Sequence, residues 1–121
     1  FPQFQTNEKG APGIGAFAKA YKERFGSEPR SGHSLINYVG AKVFLDAMEQ
    51  SQSLDADAIR ASVASVDIPV GGTAAGIGAR FGDNGQNLRA DTAIMQWQGG
   101  VLKTVYPEAA AVAKARFSDQ P

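Results

Sequence analysis

Between Gly13 and Phe25, the apolar residues Ile14, Phe17, Ala18, Tyr21 and Phe25 fall at i, i+3, i+4, i+7 and i+11. That spacing gathers them on one face and predicts an amphipathic helix. Gly26 supplies its stop, because glycine accepts the left-handed conformation that ends a helix. The loop Ser27-Glu28-Pro29-Arg30-Ser31-Gly32 precedes a second predicted helix, from about Ser34 to Gln50. Its apolar residues, Leu35, Tyr38, Val39, Ala41, Val43, Phe44, Leu45, Ala47 and Met48, run round nearly the whole circumference, so burial on most sides is expected. Asp55 has the chemistry of an N-cap for a third helix, whose narrow stripe is Ile59, Val63 and Val66.

Gly71-Gly72, Gly76 and Gly78 then interrupt the helical pattern and read as a flexible connection. The period drops to two. Ile77, Ala79 and Phe81 alternate as in a short strand ending at the turn signal Asp83-Asn84-Gly85. A hairpin follows, with Ala93, Met95 and Trp97 on one face, a Gly99-Gly100 turn and Val101 to Tyr106 returning. Pro107 suits the first position of a last helix, Glu108 its positive end, and Ala109 to Phe117 are rich in helix formers. Residues 1–12 are polar, contain Asn7, Gly10 and Pro12, and read as a loop or linker. The class is mixed α/β.

Composition limits the core. Leu, Ile, Val and Phe together number 26 of 121 residues, while 20 are alanine, so a thinly cored fold is expected. Twelve basic and twelve acidic side chains balance, which argues against disorder and removes the electrostatic reason to expect nucleic acid or an anionic membrane surface as partner. Without cysteine, a disulfide framework, a thiolate metal site and a cysteine nucleophile are excluded together. No apolar run approaches the roughly 20 residues that span a bilayer. The start, Phe1-Pro2-Gln3-Phe4-Gln5, has neither the basic nor the apolar region of a signal peptide, and it is expected to be an internal cut in a longer chain.

Chemical motifs are sparse. Gly13-Ile14-Gly15-Ala16-Phe17-Ala18 matches the glycine pattern of dinucleotide sites but lacks the apolar strand that must aim the helix at a pyrophosphate. His33, the sole histidine, has no carboxylate cluster at metal-ligand spacing; it reads either as a solvated loop residue or as a pocket group donating to a polar or anionic ligand. Ser31, His33 and Asp46 occur without a nucleophile elbow or an oxyanion-hole motif, so no enzyme is indicated and no cofactor is implied. Asp83-Asn84-Gly85 lacks the rest of a calcium loop and reads as a turn. Trp97 is expected to pack in a core.

The order of blocks carries more information than any of them. Phe17 to Pro29 resembles the F-x-x-x-Y-x-x-x-[FY]-G-x-x-P stretch of type I periplasmic substrate-binding proteins, and the tyrosine-bearing helix with Tyr38 follows it as in that family. Gly76 to Gly85 resembles the family's G-x-[LIV]-x-F-D-x-x-G, with Gly82 standing where aspartate is common. Ile94 to Gly100 with Val105-Tyr106-Pro107 is similar to its closing Q-x-x-[DN]-G … V-[YW]-P.

The resemblance spans about residues 14–110 and implies the C-terminal portion of a bilobed receptor of the branched-chain amino acid binding type. It implies a linker over 1–12, a helical piece of one lobe over 13–80, a hinge crossing over 81–90, and the other lobe's hairpin and terminal helix over 91–121. It further implies a periplasmic protein that captures an amino acid, amide or small organic acid and delivers it to an ABC transporter permease, with His33, Ser34 and Asn37 as ligand contacts. A ligand-sensing regulatory or receptor domain of the same type, and a self-associating interaction domain without a pocket, are the alternatives. The cover for the second helix is expected from the rest of a longer chain or from a second copy, in a two-fold dimer that exchanges the hairpin through the glycine-rich segment.

Overall fold

The computed structural model describes residues 4–117. Helix α1 (Ile14–Phe25) starts at Gly13 and ends at Gly26, whose φ of +71° is the expected left-handed stop. Helix α2 (Gly32–Ser51) begins earlier than its apolar pattern, because the extended Ser31 acts as N-cap and accepts from the His33 backbone N–H through its side chain. His33 is therefore inside the first turn, where sequence reading placed it in the preceding loop. Asp55 caps α3 (Ala56–Ala64) as expected, accepting from the N–H groups of Asp57 and Ala58 at 3.0 and 3.1 Å.

Among the described residues, two small antiparallel sheets complete the mixed α/β architecture. Strand β1 (Asp67–Ile68) pairs with β2 (Ala79–Arg80), and β3 (Ile94–Gln98) pairs with β4 (Val101–Tyr106). Gly99 and Gly100 make the hairpin turn with φ of +62° and +77°, the conformation that a two-residue turn requires at both positions. The alternation Ile77-Ala79-Phe81 yields a strand of two residues only, followed by an isolated bridge between Phe81 and Asn87.

The core of the described residues forms where α1 and α2 meet the first sheet. Ala11, Ile14, Leu35, Val39, Val43 and Ala79 are buried there, with Phe4, Phe17, Val66, Ile68 and Phe81 packed around them. Helix α2 contributes Leu35, Val39, Val43 and Ala47, one stripe at i, i+4, i+8 and i+12. Burial on most sides is not found: Ile36, Tyr38, Phe44 and Leu45 lie on its other faces, each between 46% and 59% exposed.

Two further expectations are corrected. The glycines of 71–78 form a pinned set of turns instead of a flexible connection: Gly71 donates to Gly76 O at 2.9 Å, Gly76 donates to Thr73 O at 2.9 Å, and the Thr73 hydroxyl donates to Ile77 O at 2.7 Å. Residues 107–117 hold no helix. After one turn in which Ala110 N donates to Pro107 O, the N–H groups of Val112 and Ala113 turn back to Thr104 O, and the chain runs on beside the hairpin. Gln98 Nε2 donates to Lys114 O at 2.8 Å, while Gln96 accepts from Arg116 N at 2.8 Å and donates to Arg116 O at 2.5 Å. Those amide side chains satisfy backbone groups that a helix would have paired internally, and so they override the local preference of an alanine-rich segment.

Candidate functional site

Three of the chain's aromatic side chains recur on α1 at i, i+4 and i+8, as Phe17, Tyr21 and Phe25. Helical geometry stacks such positions on one face. The ring centroids of Tyr21 and Phe25 are 4.6 Å apart, and those of Phe17 and Tyr21 are 5.9 Å apart. Tyr38 of α2 closes on the same row, 5.1 Å from Phe17. Between the two helices lies an open groove of about 650 Å³, walled by Phe17, Tyr21, Arg24, Ser34, Tyr38 and Ala74. Its size falls in the range that small ligands occupy, and its apolar wall with few polar groups is the usual composition of such sites.

The head of α2 forms one end of this groove. Ser31, as cap, fixes the first turn, with its carbonyl accepting from Ser34 N at 3.1 Å and its hydroxyl 3.4 Å from His33 Nδ1. Ser34 is half-buried and reaches the groove; Tyr38, one turn on, continues the same wall. His33 and Asn37 are exposed. At about 3.6 residues per turn they lie one above the other on the side of α2 opposite Leu35 and Val39. Of the three residues implied as ligand contacts, the structure thus brings Ser34 to the groove and places His33 and Asn37 together on the adjoining outward face.

Among the described residues that line the groove, Arg24 alone is cationic. Lys22 donates to Glu28 at 2.7 Å, and this hydrogen bond, aided by the carboxylate's charge, holds the Lys22 ammonium above its ordinary pKa. Among the described residues no three His, Asp or Glu side chains gather as a metal site would need, and no helix is long and apolar enough to cross a membrane. Sequence reasoning missed Tyr21 and Arg24 as groove residues, since an aromatic row at helical spacing has the same signature whether it faces a core or a cleft. On the hairpin, Trp97 is 48% exposed and Met95 40% exposed, so within this chain the expected core packing of Trp97 is not realised.

The arrangement is a groove with apolar walls and a few polar groups at a helix head. The chain belongs to the periplasmic binding protein family, whose family model matches residues 1–101. It is similar to "Leu/Ile/Val-binding protein homolog 8" of Brucella abortus (strain 2308), with 51% identity over 117 residues, 97% of this chain and 29% of that protein. "Leu/Ile/Val-binding protein homolog 7" of Brucella suis biovar 1 (strain 1330) is 50% identical over the same extent. The chain spans about 29% of the length of these curated relatives. The three helices and two small sheets of the described residues are a partial type I periplasmic-binding-protein fold.

Proposed function

We propose that this chain is the C-terminal portion of a periplasmic receptor that captures an amino acid, amide or small organic acid and delivers it to the permease of an ABC transporter. The names of its relatives favour a branched-chain amino acid as ligand. In this reading residues 13–80 belong to one lobe, 81–90 cross between lobes, and 91–121 join the other lobe. The ligand is bound, not transformed. Donors at the head of α2, Ser34 first and His33 and Asn37 beside it, supply part of the polar contact, and apolar walls contact the side chain. The ligand's better fit to the closed form supplies the shift from open to closed.

The observation that carries this reading is the family match over residues 1–101, supported by the placement of Ser34 at the end of an aromatic-walled groove. Titration calorimetry of the full-length protein, freed of carried-over ligand, against leucine, isoleucine, valine, their amides and short organic acids tests it. Saturable one-to-one binding of at least one of them is expected. A folded protein that binds none of the panel overturns it.

A further inference from the structure

Thr104 is 3% exposed and lies in the middle of β4, where an alternating strand has room for an apolar residue. Its hydroxyl instead collects two donors from the far end of the chain: Gln5 Nε2 at 2.8 Å and Asn7 Nδ2 at 3.1 Å. Its carbonyl accepts from Val112 N at 2.9 Å and Ala113 N at 3.3 Å. Around this residue the same two segments are stitched again. Asn7 Nδ2 also donates to Ala110 O at 2.7 Å, and Lys9 Nζ donates to Ala111 O at 2.9 Å and Glu108 O at 3.4 Å.

The position of this cluster matters as much as its bonds. Residues 7–14 lead straight into the core, since Ala11 is buried and donates to Asn7 O, and Ile14 donates to Ala11 O. A narrow cleft of about 240 Å³ separates that core from the hairpin, with Ile14, Leu35 and Ala75 on one side and Ala93, Met95 and Thr104 on the other. Polar side chains span the gap beside apolar ones that line it.

We propose that Thr104, with Asn7, is a positioning joint: it couples the segment entering α1 to the hairpin and its C-terminal strap, and so fixes the width of the cleft between helical core and hairpin. The two segments then open as one unit, not independently. A buried threonine that merely stabilises its own strand would not transmit anything to residues about a hundred positions away.

Amide hydrogen exchange on the purified protein tests this, because exchange reports local opening residue by residue. Thr104→Val keeps the shape and removes the acceptor, so that Gln5 Nε2 loses its bond to the hairpin and Asn7 Nδ2 keeps only the one to Ala110 O. Ala11, bonded to Asn7 and not to Thr104, is expected to exchange about tenfold faster or more. Reciprocally, Asn7→Ala is expected to speed Val112 and Ala113, which bond Thr104 and not Asn7. Thr104→Ser, which keeps the hydroxyl, should restore both. The amides of Asp57 and Ala58, held by Asp55, are the control and stay unchanged. In the double variant the effects should fall short of the product of the single ones, as coupled neighbours do. If either single variant speeds only its own segment, or if serine fails to rescue, the joint is overturned. Should Thr104→Val unfold the chain, with control amides accelerating equally, Gln5→Ala decides the question: a several-fold rise at Val112 and Ala113 upholds the coupling, and no change there overturns it.

Discussion

Gly76 sits at φ +78°, and a Cβ built on it would lie 1.9 Å from Gly10 O. Both the backbone conformation and the close approach forbid a side chain. Gly76→Ala is expected to destabilise by at least about 1–3 kcal/mol, the usual cost of a left-handed non-glycine residue before any overlap is relieved. A lowered urea midpoint with an unchanged slope would show it. Gly82, where the family commonly has aspartate, is the opposite case. Its φ is not in the left-handed region, and the nearest atoms a Cβ there would meet are Asn84 Oδ1 and Leu88 Cδ2, each at 3.4 Å. Gly82→Asp should change the unfolding free energy by no more than about 0.5 kcal/mol, read by urea titration. At the head of α2, Ser34→Ala and His33→Ala in the full-length protein should each weaken ligand binding about threefold or more, since one lost hydrogen bond is worth roughly 0.5–1.5 kcal/mol, and more to a charged ligand. Unchanged affinity for His33→Ala in calorimetry would return that residue to the solvated face on which its exposure places it.

Elements whose signals are local were legible in the sequence. Helix α1 carries a one-face period and a glycine stop, and α3 carries an aspartate cap; both form where those signals stand. Asp55→Ala should accordingly cost about 0.5–2 kcal/mol, read as a shift in the urea midpoint. Elements decided by distant partners were not legible. Strand β1 is two residues long and exists because Asp67 and Ile68 pair with Arg80 and Ala79, while Arg89 bridges to Asp67 and donates to Ile68 O at 2.6 Å. The strap over 112–117 looked helical by composition, yet Gln96 and Gln98 capture its backbone from 20 and 16 positions away. Gln96→Ala should therefore free the strap, and limited proteolysis after Lys114 or Arg116 should quicken while the hairpin stays intact. Of the groove's lining, sequence reading had singled out Ser34, as one of three ligand contacts implied by the family resemblance. The groove itself was not, because the period of Phe17, Tyr21 and Phe25 says which face they share and not whether anything covers it.

At the scale of the whole molecule, the decisive fact is how little of the apolar surface this chain covers for itself. Among the described residues no large side chain is fully buried, and α2 uses one stripe for the core while Ile36 and Phe44 stand exposed on another, with Gly40 open between them. Leaving even about 400 Å² of such surface wet forgoes on the order of 10 kcal/mol at about 25 cal/mol per Å², comparable to the whole stability of a small domain. Patches of that size normally meet a partner. The outer face of α2 is therefore expected to be covered in the complete receptor by the remainder of its chain, and in the isolated 121-residue chain by a second copy. The contact should lie on α2 and not in an exchanged hairpin. Asn87 clamps the segment leading to the hairpin, accepting from Arg80 N and Arg89 N and donating to Gly78 O, while the Thr104 cluster fastens the hairpin's other end. An exchange would have to break both. Sedimentation of the isolated chain should show association that grows with concentration, and Phe44→Glu should shift it toward monomer by burying an unpaired charge in the contact. Co-expression with the remainder of the receptor should abolish that self-association. A compact monomer at micromolar concentration with cooperative unfolding would show instead that the chain completes its own core.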